Sequence, residues 1–157
     1  MMQPVLALAY VALGANLGDA RATISAALAA LDGLPRTRLL RASSLYRSAP
    51  WEASGPDFIN AVAAVETSLS ALELLHALQA LELDAGRERP YRNAPRTLDL
   101  DLLLHGDTRL DTPELTVPHP RLRERAFVLL PLAEIAPGRV SAAELQAVAE
   151  QAIERLA

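Results

Sequence analysis

The chain has 157 residues and is 51% hydrophobic, enough for one domain, residues 1–157, with its own core. It has no cysteine, which excludes disulfides and thiolate metal sites, and all 15 of its basic residues are arginine, which excludes the P-loop lysine and Schiff-base chemistry. A net charge of −4 argues against a general nucleic-acid binder, and no apolar stretch is long enough to span a membrane, so a cytoplasmic protein with no nucleic-acid or membrane partner is expected.

Val5 to Leu13 reads as a buried strand ending at Gly14. Gly14-Ala15-Asn16-Leu17-Gly18 lacks the Gly-x-Gly-x-x-Gly spacing and reads as a tight turn from strand to helix. Asp19 caps a predicted helix with Ile24, Ala27, Leu28 and Leu31 on one face, which Gly33 and Pro35 stop. Arg38 to Tyr46 is a second predicted strand, Ser48 to Asp57 a loop, and Phe58 to Thr67 a third strand. Ser70 and Glu73 form a capping box that opens a helix running to Gly86. A polar loop follows, then a strand over Thr97 to Leu104. Beyond Gly106 the chain reads as irregular and Pro-rich, with a last helix over Ala142 to Leu156. The order β-α-β-β-α-β predicts an α+β fold of the ferredoxin-like kind, one antiparallel sheet with two helices on one face, plus a C-terminal extension.

The fourth strand carries the chemistry. Strand side chains alternate, so Asp99 and Asp101 share one face while Leu98, Leu100 and Leu102 share the other. Two ionised carboxylates side by side repel and resist desolvation. Either they sit solvated on an edge strand, or a divalent cation lies between them. Mg²⁺ suits the second case, held by carboxylates and substrate phosphates. The loop from Arg87 to Arg96 leads into this strand with four arginines and one acid, donors suited to phosphate or simply a solvated basic loop. Beside the two aspartates, it points to phosphoryl chemistry.

Three smaller features are open in the same way. Gln79 and Glu82 flank the apolar stripe of the second helix, solvated or facing a ligand. His119 lies between Pro118 and Pro120, ahead of Arg121, Arg123 and Arg125, where it meets a phosphate, a metal or neither. Phe58 and Asn60 share a strand face, and a ring beside a carboxamide suits a flat heterocycle, although Phe58 and Phe127 also suit a core.

Taken in order, Leu13 to Gly18, Ser44-Leu45-Tyr46, Phe58 to Ala61, Glu82 to Arg87, Pro95-Arg96-Thr97-Leu98-Asp99-Leu100-Asp101 and Val117-Pro118-His119 through Phe127 resemble the 6-hydroxymethyl-7,8-dihydropterin pyrophosphokinase family of folate biosynthesis. The resemblance covers about residues 5 to 137, and the Pro95 to Asp101 run is its most specific part. It implies transfer of pyrophosphate from ATP to the pterin hydroxymethyl oxygen with release of AMP, by a single domain that acts as a monomer. It implies two Mg²⁺ ions held by Asp99 and Asp101, and catalytic roles for Arg87 and Arg96. For ATP it implies Gln79, Glu82, Arg89, Arg96, Leu102, Thr116, His119 and Arg125. For the pterin it implies Phe58 and Phe127 as a sandwich, Asn60 on the ring edge, and Ser48, Ala49 and Trp51 along the pocket.

The chain also departs from the family. Asn93-Ala94 stands where some members carry Trp, so a stacking residue is either lost or supplied by Tyr91 or Trp51. Pro120 follows the histidine where some have Tyr, and Glu114 lies where some have a basic residue. Phosphoryl transfer needs positioning and charge neutralisation more than a strong base, so no dedicated base is assigned. The competing readings are another metal-dependent phosphate enzyme and a non-enzymatic binding module. The first would want further His or carboxylate ligands, and the second leaves the aspartates and the arginine loop unexplained.

Overall fold

A computed structural model of the chain describes residues 5–49, 56–86 and 98–156. Its sheet is organised around β1 (Ala7–Ala15), an apolar run buried on both faces, as a central strand must be. β1 pairs antiparallel with β4 (Phe58–Thr67) on one side and with β5 (Asp99–His105) on the other. β2 (Thr37–Ala42) and β3 (Tyr46–Ser48) both pair with β4, and β8 (Ile153–Arg155) adds to β3. The strand order is β5-β1-β4-β3-β8, with β2 also on β4. Between β5 and β8 lies a ribbon of β6 (Leu110–Asp111) and β7 (Thr116–Val117).

α1 (Ala20–Asp32) and α2 (Ala71–Ala85) cover one face of the sheet. Ile24, Ala27 and Leu31 of α1 and Leu74 and Leu78 of α2 meet Val11, Leu13, Ala63 and Val65, together with Leu98, Leu100 and Leu102. Each fully buried leucine contributes about 2 kcal/mol of transfer free energy. Both helices start as the sequence predicts. The Asp19 carboxylate accepts from Ala22 N–H at 3.1 Å. Ser70 and Glu73 exchange both bonds of their capping box.

The opposite face belongs to α3 (Ala126–Ile135), a helix absent from the sequence reading. Val128, Leu129, Leu132 and Ile135 pack on Tyr10, Ala12, Val62 and Ala64. The segment is apolar nearly throughout and holds Pro131 at its centre, so it lacks both an amphipathic period and a helix-like composition.

Three further expectations are corrected. The first strand lies at Ala7–Ala15, two residues later than predicted, with Val5 and Leu6 exposed ahead of it. The predicted strand Arg38 to Tyr46 is two strands. At the break the Ser43 hydroxyl accepts from Val62 N–H (3.0 Å), and Ser44 N–H turns away to the Glu134 carboxylate (2.9 Å). The predicted last helix, Ala142 to Leu156, is only α4 (Ala142–Ala147), capped by Ser141 and Glu144. Past it the chain extends as β8, because the open edge of β3 offers it partners. Leu156 N–H donates to Leu45 O at 2.8 Å, and Arg47 pairs with Glu154 at 2.7 Å.

Candidate active site

The register of three strands builds the site. Gly14 of β1 stands opposite Asp99 of β5 on one side and opposite Asn60 of β4 on the other. Ala12 stands in the same way between Asp101 and Val62. Directly opposed residues share a face, so Asp99, Asp101 and Asn60 all lie on the α3 side of the sheet. Two strand spacings separate Asp99 from Asn60, about 10 Å between Cα atoms. Between them Gly14 offers only backbone. A Cβ there would lie 3.5 Å from Asn60 Oδ1 and 3.9 Å from Phe58 Cδ1.

Asn60 is buried, and its amide is oriented by one bond, Nδ2 donating to Ser48 Oγ at 2.8 Å. Its carbonyl oxygen points over Gly14 and so presents an acceptor to the cleft. Phe58 of β4 lies next to it, and Phe127 enters from the first turn of α3. The Arg125 guanidinium sits over the Phe127 ring, 5.3 Å from its centroid. These side chains line one cleft of about 590 Å³ together with Ser48, Ala49, Asp99, Asp101 and His119.

The cleft also bends round the outer edge of β5. There Leu100 N–H donates to the Glu82 carboxylate of α2 at 2.8 Å, and Gln79 and Leu75 line the wall beside it. His119 N–H donates to Leu103 O at 2.9 Å, which fixes the backbone that follows the cis Val117–Pro118 peptide. Its Nδ1 accepts from Arg121 N–H at 3.1 Å. That leaves Nε2 to carry the proton of the neutral ring, 4.0 Å from Asp101 Oδ1. Burial pushes the His119 pKa below its ordinary value. Arg125 and Arg121 push the same way, and Asp101 offsets them only in part. This favours the neutral ring, with its Nε2–H directed toward the acidic end of the cleft.

The acidic end offers hard oxygen donors from Asp99 and Asp101, a set suited to Mg²⁺. Among the described residues no third His, Cys, Asp or Glu joins them as a metal cluster. Mg²⁺ held by these carboxylates would supply charge neutralisation to phosphate oxygens.

Most residues singled out in the sequence thus meet in one place, and two do not. The Leu102 side chain is 2% exposed and packs in the core under α1 and α2. Thr116 lies in β7, where its hydroxyl donates to Asp111 at 3.4 Å, away from the cleft lining. Trp51, Arg87, Arg89, Tyr91, Asn93, Ala94 and Arg96 lie outside the described residues. The sequence reading missed Gly14 and Asn16, which line the cleft. A glycine at the end of an apolar strand marks close approach by something else, and that signal was available.

A mixed helix and antiparallel-sheet protein with two carboxylates at one end of a cleft and two phenylalanines around an amide at the other is shaped for a ligand with a charged end and a flat end. The model of the 7,8-dihydro-6-hydroxymethylpterin-pyrophosphokinase (HPPK) family matches residues 10–137. The chain is 56% identical over 129 residues to the 2-amino-4-hydroxy-6-hydroxymethyldihydropteridine pyrophosphokinase of Pseudomonas aeruginosa, covering 82% of this chain and 80% of the relative. It is 46% identical over 129 residues to that of Haemophilus influenzae, covering 82% and 81%. Its fold resembles the wild-type HPPK-DHPS structure of Plasmodium falciparum, with a TM-score of 0.62 and 15% identity over 83% of this chain. The chain spans 40% of that longer protein. This chain belongs to the 7,8-dihydro-6-hydroxymethylpterin-pyrophosphokinase family.

Proposed function

We propose that the chain transfers the pyrophosphoryl group of ATP to the hydroxymethyl oxygen of 6-hydroxymethyl-7,8-dihydropterin, releasing AMP, in folate biosynthesis. Family membership and the names of its relatives support this reading. The observation that carries it is the single row Asp99–Gly14–Asn60, with phosphate-type and heterocycle-type groups at its two ends and an open floor between.

At the flat end, Phe58 and Phe127 sandwich the pterin and the Asn60 carbonyl accepts from its edge. Ser48 and Ala49 line that pocket, and Trp51 is assigned to it from the family resemblance. At the charged end, Asp99 and Asp101 would hold two Mg²⁺ ions, which neutralise the ATP phosphates and keep them in line. His119 donates Nε2–H toward a phosphate, and Arg125 adds positive charge. Gln79, Glu82, Arg89, Leu102 and Thr116 are assigned to the nucleotide, the last two through groups other than the cleft-lining side chains. Arg87 and Arg96 are assigned to the charge that develops during transfer. The hydroxymethyl oxygen bonds to the β-phosphorus and passes its proton to solvent water as the bond from that phosphorus to the α–β bridging oxygen breaks. AMP leaves, and no dedicated base is needed.

The strand order β5-β1-β4-β2 supports a ferredoxin-like core, with the chain beyond β5 as its C-terminal extension. A cytoplasmic monomer without nucleic-acid or membrane partners is part of the same reading. No described helix is long and apolar enough to cross a membrane.

Incubation with ATP, Mg²⁺ and the pterin, followed by nucleotide analysis, tests the function. AMP formed only when pterin is present is the expected result. ADP or pterin-independent hydrolysis would make the chain another phosphate enzyme, and no turnover would make it a binding module.

A further inference from the structure

We propose that Gln151 is a positioning residue for the cleft, acting through the backbone on either side of Arg125. The proposal rests on the pterin and ATP roles given above to Phe127 and Arg125. It concerns a segment beyond the residues 10–137 that the family model matches.

The first turn of any helix leaves backbone N–H groups without intrahelical partners, and a Ser, Thr, Asp or Asn before the helix normally serves one of them. α3 has no such residue. Arg125 precedes it in an extended conformation and makes no side-chain cap. The missing acceptor comes from 25 residues further along the chain, where the Gln151 carbonyl oxygen accepts from Ala126 N–H at 2.8 Å. The same amide donates from Nε2 to Glu124 O, also at 2.8 Å. One planar group thus clamps the chain at both neighbours of Arg125.

What that clamp holds is two walls of the cleft. Arg125 and Phe127 line it, and the guanidinium lies over the ring. Gln151 is itself held from both sides. Before it, Val148 is buried among the α3-face residues and accepts from Gln151 N–H at 3.0 Å. After it, Ile153–Arg155 are paired to β3. The amide is therefore carried on anchored backbone, and it fixes where α3 begins, hence the direction from which Phe127 enters the cleft.

The test compares Gln151→Met, which keeps length and loses both bonds, with Arg155→Ala. The latter removes a surface ion pair with Glu134 and leaves the backbone pairing of β8 to β3, and with it the clamp, in place. Melting curves, pterin KM, and amide exchange over residues 124–128 are measured for both. The expected result for Q151M is a KM for pterin raised about tenfold and faster exchange at Ala126, from two lost hydrogen bonds and a stranded N–H. R155A is expected to keep the wild-type KM even where its melting temperature falls as far. Unchanged KM and exchange in Q151M, or equal changes in both variants, would overturn the proposal. Should Q151M not fold, Gln151→Asn replaces it: its amide is one methylene too short to span both partners, and the same KM rise is expected. A wild-type chain that makes no AMP with pterin would count against the enzyme reading instead, and the exchange data would still decide the clamp.

Discussion

The two faces of the sheet are held in different ways. On the α1 and α2 face each helix is started by its own neighbours, Asp19 for α1 and the Ser70–Glu73 box for α2, and buried by a regular apolar stripe. On the α3 face the holding groups come from far along the chain. Gln151 caps α3, and Glu134 accepts from the backbone N–H of Ser44 and from the Tyr46 hydroxyl at 2.7 Å. Local signals thus build the supporting face, and long-range hydrogen bonds build the face that carries the cleft. Side chains must be aimed on the second face, whereas on the first they need only be buried.

The largest effects on activity are expected at the cleft. Asp99→Asn and Asp101→Asn are each expected to abolish AMP formation while the protein still folds, since each removes a charge proposed to hold the metal and keeps the side chain's size. Near-normal turnover in both variants would remove the metal assignment. The supporting face should respond in the opposite sense. Leu74→Ala is expected to lose about 2–5 kcal/mol in a denaturant titration, with KM unchanged in the protein that stays folded.

Gly14→Ala sharpens the contrast, because its new methyl would meet Asn60 and Phe58 only at ordinary contact distance. The fold is expected to hold and kcat/KM for pterin to drop about tenfold, as the floor rises between the two ends of the cleft. An unaffected kcat/KM would show that the ligand does not cross the glycine.

The smallest effect is expected at Glu134. Burial pushes its carboxyl pKa up, but bonds from Tyr46 and Ser44 and the charge of Arg155 outweigh burial, so the net shift is below the ordinary 4.5. The Tyr46 hydroxyl moves the other way, to about 12, by burial and by the bond to Glu134. A depressed folded pKa contributes stability that is fully present above 4.5 and is lost as the pH falls through the folded value. Glu134→Gln is therefore expected to lower stability by about 1 kcal/mol at pH 7. Its stability curve should converge on the wild type in acid; curves that stay parallel through that range would dismiss the role of the charge.

The sequence was most legible where structure is local. The strand Phe58–Thr67, the capping box and the shared face of Asp99 and Asp101 all follow from spacing within a dozen residues. α3 escaped because a ten-residue apolar segment broken by Pro131 carries no period. β8 escaped because Ala-rich sequence beyond α4 continues to look helical, and only the waiting edge of β3 makes it a strand. At the cleft, residue type exposed Asn60, Phe58 and the aspartates, but the row that joins them runs across three strands and is visible only in their register. Gln151 gave no sign at all, since a cap 25 residues away leaves no mark in local sequence.

The register shift opposite Tyr10 and Val11 has a consequence for what this chain tolerates. Leu102 faces Val11 and Leu104 faces Tyr10, so Leu103 is the extra residue of a bulge. Leu103 and Leu104 therefore both point to the α3 face. The strand changes phase there: on one face it writes two acids and then two leucines, a wet half followed by a dry half. Deleting Leu103 would restore strict alternation and leave the aspartates facing α3 and His105 facing α1 and α2, whereas deleting Leu100 would carry one aspartate toward the α1 and α2 core. A one-residue gap at Leu100 should thus be far more damaging than one at Leu103.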